Sequence, residues 1–393
     1  MNKLSQRQKT ARACMVATIV FALAYTAVFL LIFYRQYYWE DRAAGFYMSD
    51  THAHIRFGQS GQSLYSLMYL TLGLLDRLPM GGVWIAAFLT VLLLFGIWAT
   101  KMLLQYLLPK QNKWVVWMYA FACNMVFPIT MTYIPHFGDF RYKGMLNFNI
   151  YHNSTYIGMK PFAILAVLFL FKILKTYAEK RMTWKEWVGL AGMMLAATAF
   201  KPNFIIGFAV AILVVLIVDF IRLKGKHFLN FVIMGSTVLP GFFLTLYQRS
   251  ALYETDSAGS QLKIGFLTAL RSVVNHPEIP LLLSFVFPIV ILVFCVKDLK
   301  SDKYYRFAWL HMLINLAMTV MLYETGARLR HGNFFWGSYF AIGIVFMLSI
   351  AKLDELIENK RMGALTVSSM ALGAHVLCWV NYVCTIIKGA KPF

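Results

Sequence analysis

Apolar runs of about 20 residues recur from one end of the chain to the other, the length a helix needs to cross hydrocarbon. The first covers residues 11–34, and others follow at about 83–107, at 114–134 and onward to the C-terminus. A helix can cross a bilayer because it satisfies its own backbone hydrogen bonds, which an open strand cannot do. A β-barrel would instead show segments of about 10 residues alternating in polarity, and the chain has none. Of its 393 residues 60% are hydrophobic and 14% charged, too little charge to cover a soluble surface. These features predict an all-α polytopic membrane protein with about 11 transmembrane helices. No soluble stretch is long enough to fold alone, so residues 1–393 form one integral unit.

The net charge of +20 could suggest nucleic acid as a partner. The distribution of charge argues otherwise, because Lys and Arg gather in short loops between apolar runs, as the positive-inside rule requires. Lys3, Arg7, Lys9 and Arg12 predict a cytoplasmic N-terminus. A basic start followed by an apolar run resembles a signal peptide, but the run continues without a small-residue cleavage site, predicting a retained anchor. All five cysteines fall within apolar runs without metal-ligand spacing and read as small core residues.

Following the chain by this rule, the inner loops are basic and otherwise plain: Lys110 and Lys113, then Lys172 to Lys185, Arg222 to Lys226, Lys297 to Arg306, and Lys352 to Arg361. The C-terminal Lys388 and Lys391 fall outside, against the rule. The outer loops differ. The first follows an aromatic girdle (Tyr34, Tyr37, Tyr38, Trp39), and over 54–78 it mixes apolar residues with Gln59, Gln62 and Ser63, predicting an amphipathic helix at the interface. The second, 135–160, holds His136, Asp139, Arg141, Lys143, Asn147, Asn149, His152 and Asn153. The third, 247–280, carries Arg249, Glu254 and Asp256 and reads as a solvated face. Ionisable groups near membrane depth are costly, so their collection on one face suggests a site.

Four stretches stand out. In Ser49–Arg56, Asp50 lies where a carboxylate could accept a proton from a hydroxyl. If that stretch is extended, His52 and His54 share its face, and the trio becomes a donor set that a divalent metal accepts. The bland reading is that Asp50 or Thr51 caps the interfacial helix. In Tyr151–Tyr156, His152, Asn153 and Tyr156 offer the hydrogen bonds a sugar needs, and Lys160 would face a phosphate. The bland alternatives are a helix cap and a snorkelling lysine. Lys201 interrupts two short spans before Pro202, where a cation needs an anionic partner. The turn 324–333 packs Glu324, Arg328, Arg330 and His331 together, and Arg is suited to gripping phosphate with paired hydrogen bonds.

A carboxylate in the first outer loop (Asp50), an interfacial helix behind it and about 11 spans with outer cations resemble the GT-C superfamily of polyprenyl-phosphate-sugar glycosyltransferases. The resemblance covers most of the chain as architecture, with Asp50 at the position of the family motif. It implies that Asp50 is the general base, although His52 and His54 follow it where many members carry paired acids. The implied partners are a polyprenyl-phosphate sugar donor, a glycan, lipid or protein acceptor, and membrane lipid. The implied location is the extracytoplasmic face of a bacterial plasma membrane.

The chemistry is coherent on its own. Phosphate is a stable leaving group, so the reaction needs a base for the acceptor hydroxyl and cations for the departing charge rather than a general acid. Asp50 supplies the first; Lys201 with Arg328, Arg330 or Lys160 supplies the second. Two competing classes are a surface-polysaccharide polymerase or ligase, which depends on outer basic residues rather than a carboxylate, and a transporter or lipid flippase. A transporter would show internal repeats and mid-span charges, whereas here the charges lie mostly at span ends.

Overall fold

The structure, a computed structural model, describes residues 3–60, 65–130, 144–254 and 260–389. Of the residues named above, Gln62, Ser63, His136, Asp139, Arg141, Lys143, Asp256, Lys391 and the side chains of Lys3, Arg7 and Glu254 lie outside that description.

Helix α1 (Lys3–Tyr38) runs up to the aromatic girdle, and two short helices follow, α2 (Thr51–Ser60) and α3 (Leu67–Asp76). The expected single interfacial helix is therefore a packed pair. Gly58 and Gly73 allow the two to touch, since a Cβ on Gly58 would collide with the Tyr69 carbonyl. Helix α4 (Gly81–Leu107) returns, and α5 (Lys113–Asn124) starts from the cap that the Asn112 side chain places on the Trp114 amide.

Next come α6 (Ser154–Leu174), α7 (Trp184–Phe200), α8 (Asn203–Arg222), α9 (Phe228–Ser236) and α10 (Leu239–Glu254). Strand β1 (Leu262–Ile264), α11 (Thr268–Arg271), α12 (Glu278–Ser284), α13 (Val286–Phe294) and α14 (Asp298–Ser301) lead to α15 (Lys303–Met321). Strand β2 (Leu322–Glu324) pairs antiparallel with β1, with Leu262 opposite Glu324. A 3-10 turn, Gly326–His331, then precedes α16 (Phe335–Glu358) and α17 (Met362–Ile387).

The protein is thus an all-α integral membrane protein apart from one small strand pair. Among the described residues seven helices are long and apolar enough to cross a bilayer: Lys9–Tyr38, Gly81–Leu107, Ser154–Leu174, Asn203–Arg222, Phe228–Ser250, Arg328–Glu358 and Met362–Ile387. The other four expected spans correspond to shorter or more polar helices. Helix α5 stops after 12 residues, α7 has 17, α12 and α13 have 7 and 9, and α15 carries His311 and Asn315 within its 19.

Where α5 stops, residues 126–130 run on without helical bonds, and their backbone groups find partners elsewhere. The Phe127 amide donates to the His375 carbonyl (3.1 Å), and the Ile129 amide to the Leu283 carbonyl (3.2 Å). The fully buried His375 ring lies between two broken ends, Nδ1 at 2.7 Å from the Phe127 carbonyl and Nε2 at 3.3 Å from the Phe287 amide. Those partners require a neutral ring with its proton on Nδ1. Asn149 does the same for α5 itself, donating to the Cys123 and Val126 carbonyls at 3.1 and 2.8 Å.

Helices α6 and α16 form the centre and are buried along nearly their whole length. Small residues let their neighbours close in, as is usual between membrane helices: Gly207 and Gly337 face the Asn315 side chain, and Gly343 faces Phe148. The basic end of the bundle is tied by Lys352, whose ammonium lies 2.9 Å from Asp302, 2.9 Å from Glu355 and 3.2 Å from Asp298. The opposite end gathers the first loop, the start of α6, the α7–α8 break and the 3-10 turn.

Gly58→Ala overpacks the α2–α3 crossing and should cost about 1–3 kcal/mol. Gly192→Ala, where nothing lies within 4 Å of the added carbon, should be neutral or stabilising. Thermal unfolding of the two variants in the same detergent checks the pair.

Candidate functional site

The site is built on the first residue before α6. Asn153 is extended (φ −113°), and its side-chain oxygen accepts the Tyr156 amide at 2.9 Å, as an N-cap does. The same oxygen accepts the Thr155 hydroxyl at 2.7 Å and the Lys201 ammonium at 3.3 Å. The amide nitrogen on the other side donates to Asp50 Oδ2 at 2.6 Å. One side chain thereby starts a helix and stands between a carboxylate and a cation.

Pro202 explains where Lys201 points. A residue before proline is pushed out of the helical region, and Lys201 adopts φ −157°, ψ 117° directly after α7. Its ammonium donates to Thr155 Oγ1 at 3.1 Å and lies 3.9 Å above the Trp336 ring, a cation–π contact. Asp50 is held through its backbone as well: its amide donates to the His152 carbonyl (2.8 Å), and its own carbonyl accepts the His54 amide (2.9 Å), opening α2.

Because α2 is helical from Thr51, the condition under which His52 and His54 would share a face with Asp50 is not met, and the helix-start alternative describes this stretch. Residues two apart on a helix are separated by about 200°, so His52 and His54 face opposite ways. His54 points inward, Nδ1 at 2.6 Å from the Ser154 hydroxyl and its ring 4.8 Å from that of Tyr69. His52 turns to the Tyr37 carbonyl (2.8 Å) and to Glu40 (3.7 Å), which also binds Arg42 at 3.0 Å. The metal trio therefore does not form, and no group of three His, Cys, Asp or Glu among the described residues is arranged to hold a metal.

Lys160 lies away from this group. It is buried one and a half turns into α6, donates to Asn149 Oδ1 at 2.7 Å and covers the Phe148 ring at 3.8 Å. Through Asn149 it serves the broken end of α5. Tyr156 is fully buried, its hydroxyl donating to the Phe148 carbonyl at 3.2 Å, and its ring backs Trp336 at 5.7 Å.

Beside the Asp50–Asn153–Lys201 group lies a cavity of about 430 Å³, lined by His152, Trp336, Tyr339 and Tyr382 with Arg330 and His331. Arg330 and His331 are exposed. The third loop contributes Ser272 and Val273 to the same wall, which its sequence did not suggest. Arg328 sits deeper, 3.9 Å from Glu324, whose carboxylate also takes the Asn333 amide. Asn203 at the start of α8 donates to the Asn333 carbonyl at 2.6 Å and ties this turn to the Lys201 break.

The electrostatics follow from crowding. Burial alone would raise the Asp50 carboxyl, but His152, His54, the Asn153 amide and Lys201 together hold it below its ordinary value. Burial pushes Lys201 down to about 7, with Asp50 pulling the other way. Burial also lowers His54, to about 4, and lowers His152. At neutral pH the group is an ionised carboxylate, neutral imidazoles and an ammonium close to giving up its proton.

Thr155, Ser154, Trp336 and Tyr339 are the contributors that sequence reasoning missed. Trp336 carried one usable signal, an aromatic residue in the first turn after the arginine-rich stretch. No known family model matches this chain, and no curated protein is found to be similar to it.

Asn153→Ala removes the cap and leaves Asp50 without its amide, and should destabilise the fold by about 1–3 kcal/mol. Asn153→Ser keeps a capping oxygen and should lose less than half of that. Thermal melts, with hydrogen exchange at the first turn of α6, check both.

Proposed function

We propose that the protein is a membrane-embedded glycosyltransferase with a GT-C-like arrangement of about 11 crossings, the shorter helices above included. It would move a sugar from a polyprenyl-phosphate donor to a hydroxyl of a glycan, lipid or protein on the extracytoplasmic side. One observation carries this reading: a carboxylate and an ammonium are bound to opposite ends of the Asn153 amide, beside a cavity rimmed by Arg330 and His331. The basic loops lie at the far end of the bundle, which favours an outward-facing site.

In this mechanism the acceptor hydroxyl approaches Asp50, whose second carboxylate oxygen is not the one given to Asn153. The hydroxyl oxygen forms a bond to the anomeric carbon as its proton passes to Asp50. The bond from that carbon to the phosphate oxygen breaks, and its electron pair leaves with the phosphate. Attack opposite the leaving group inverts the anomeric centre. Lys201 and Arg330 take up the charge that grows on the departing phosphate. Trp336 and Tyr339 offer flat faces to the sugar, and neutral His152 a hydrogen bond. Arg328, tied to Glu324, shapes the turn that presents Arg330.

The test is transfer from synthetic polyprenyl-phosphate sugars by the purified protein. Asp50→Asn should lower kcat by about 10²–10⁴-fold with the fold intact, and near wild-type turnover would end the base assignment. Lys201→Ala should lose about 10²-fold. Asp50, held below its ordinary value, stays ionised across the neutral range, so the free-enzyme profile is set by Lys201: kcat/KM should fall as pH rises through about 7. Lys201→Arg, which keeps its proton, should move that limb to higher pH. A chelator should leave the rate unchanged, since His52 is turned away from Asp50.

A further inference from the structure

A second binding feature lies on the membrane flank, away from the reacting groups. Helices α1 and α17 leave between them an apolar groove of about 260 Å³, lined by Phe21, Tyr25, Val28, Trp379, Val383 and Ile387 among others. Positions 21, 28 and 35 are spaced by sevens and so share one face of α1, which puts Arg35 at the head of the groove. From Phe21 to Arg35 the helix rises about 21 Å, more than the depth of one leaflet in a hydrocarbon core of about 30 Å.

Arg35 is incompletely used. Its Nη1 donates to the Ile387 carbonyl at 2.6 Å, while its Nε is buried with no hydrogen-bond partner among the described residues. Trp39 and Tyr47 rings lie 4.9 and 5.9 Å from the guanidinium, the aromatic surroundings typical of headgroup level. Nearby acids are engaged elsewhere: Glu40 binds Arg42, and Asp41 accepts the Ala44 amide at 3.0 Å. Exposed Lys388 follows Ile387 and adds a second positive charge.

We infer that this groove binds one phospholipid with an anionic headgroup, an acyl chain between α1 and α17 and the phosphate at Arg35. The occupant is not the reacting donor, because an aromatic wall closes the groove off from the cavity. Trp379 donates to the Tyr151 hydroxyl at 2.7 Å, and the Tyr151 ring lies 6.0 Å from Tyr382 on the cavity side. The inference is independent of the catalytic reading.

The experiment is native mass spectrometry of the full chain, delipidated in detergent and titrated with phosphatidylglycerol or phosphatidylcholine of identical chains. Wild type should bind one phosphatidylglycerol with about fivefold preference, the scale of one basic side chain at a charged surface. Arg35→Gln should abolish the preference, and Arg35→Lys should keep most of it. Ala24→Phe, which fills the groove, should weaken both lipids with Arg35 intact. Equal binding of the two lipids to wild type would overturn the proposal without recourse to any variant. Unchanged preference in Arg35→Gln would overturn it too, as would a tightly retained polyprenyl phosphate displaced by neither lipid.

Discussion

A backbone amide or carbonyl left without a partner in hydrocarbon costs several kcal/mol. This chain breaks several of its helices inside the bundle and meets that cost with side chains. His375 serves two broken ends at once, and Asn149 serves the end of α5. Lys160 then satisfies Asn149 in turn. The breaks matter because they release loops and short helices to one end of the bundle, where straight helices would have left only tight turns.

The same economy operates at that end. A buried carboxylate or ammonium is expensive alone, and a direct ion pair recovers the cost only with good geometry. Here Asp50 and Lys201 share a neutral amide. Each charge is stabilised by a dipole aimed the right way, and neither is neutralised outright by the other. Trp336 supports the cation from below. Such an arrangement leaves neither charge cancelled by the other, which suits the chemistry proposed.

Much of this was legible in the sequence, for identifiable reasons. The apolar runs announced the membrane. Pro202 announced the break at Lys201, because proline disfavours the helical conformation in the residue before it. Asn153 followed by Ser, Thr and an apolar run was readable as a cap, and it is one. What local pattern could not supply was direction. Asp50, His52 and His54 alternate as a strand would, yet the chain winds into α2 directly after Asp50 and turns His52 away. Lys160 looked like a residue at a span mouth, but the early end of α5, invisible in an unbroken apolar run, draws it inward. Trp336 and Ser272 join the cavity through contacts between segments far apart in the chain.

The small strand pair has a consequence for how this end of the protein would evolve. Strands β1 and β2 link the third loop to the turn carrying Arg328 and Arg330, with three residue pairs in register, and the Leu267 amide extends the link to the Val320 carbonyl at 2.6 Å. Ser272 and Val273 on one segment and Arg330 and His331 on the other are therefore yoked, although some 58 positions separate Ser272 from Arg330 in sequence. Substitutions on the two segments should be non-additive, so the acceptable residues on one will depend on those present on the other.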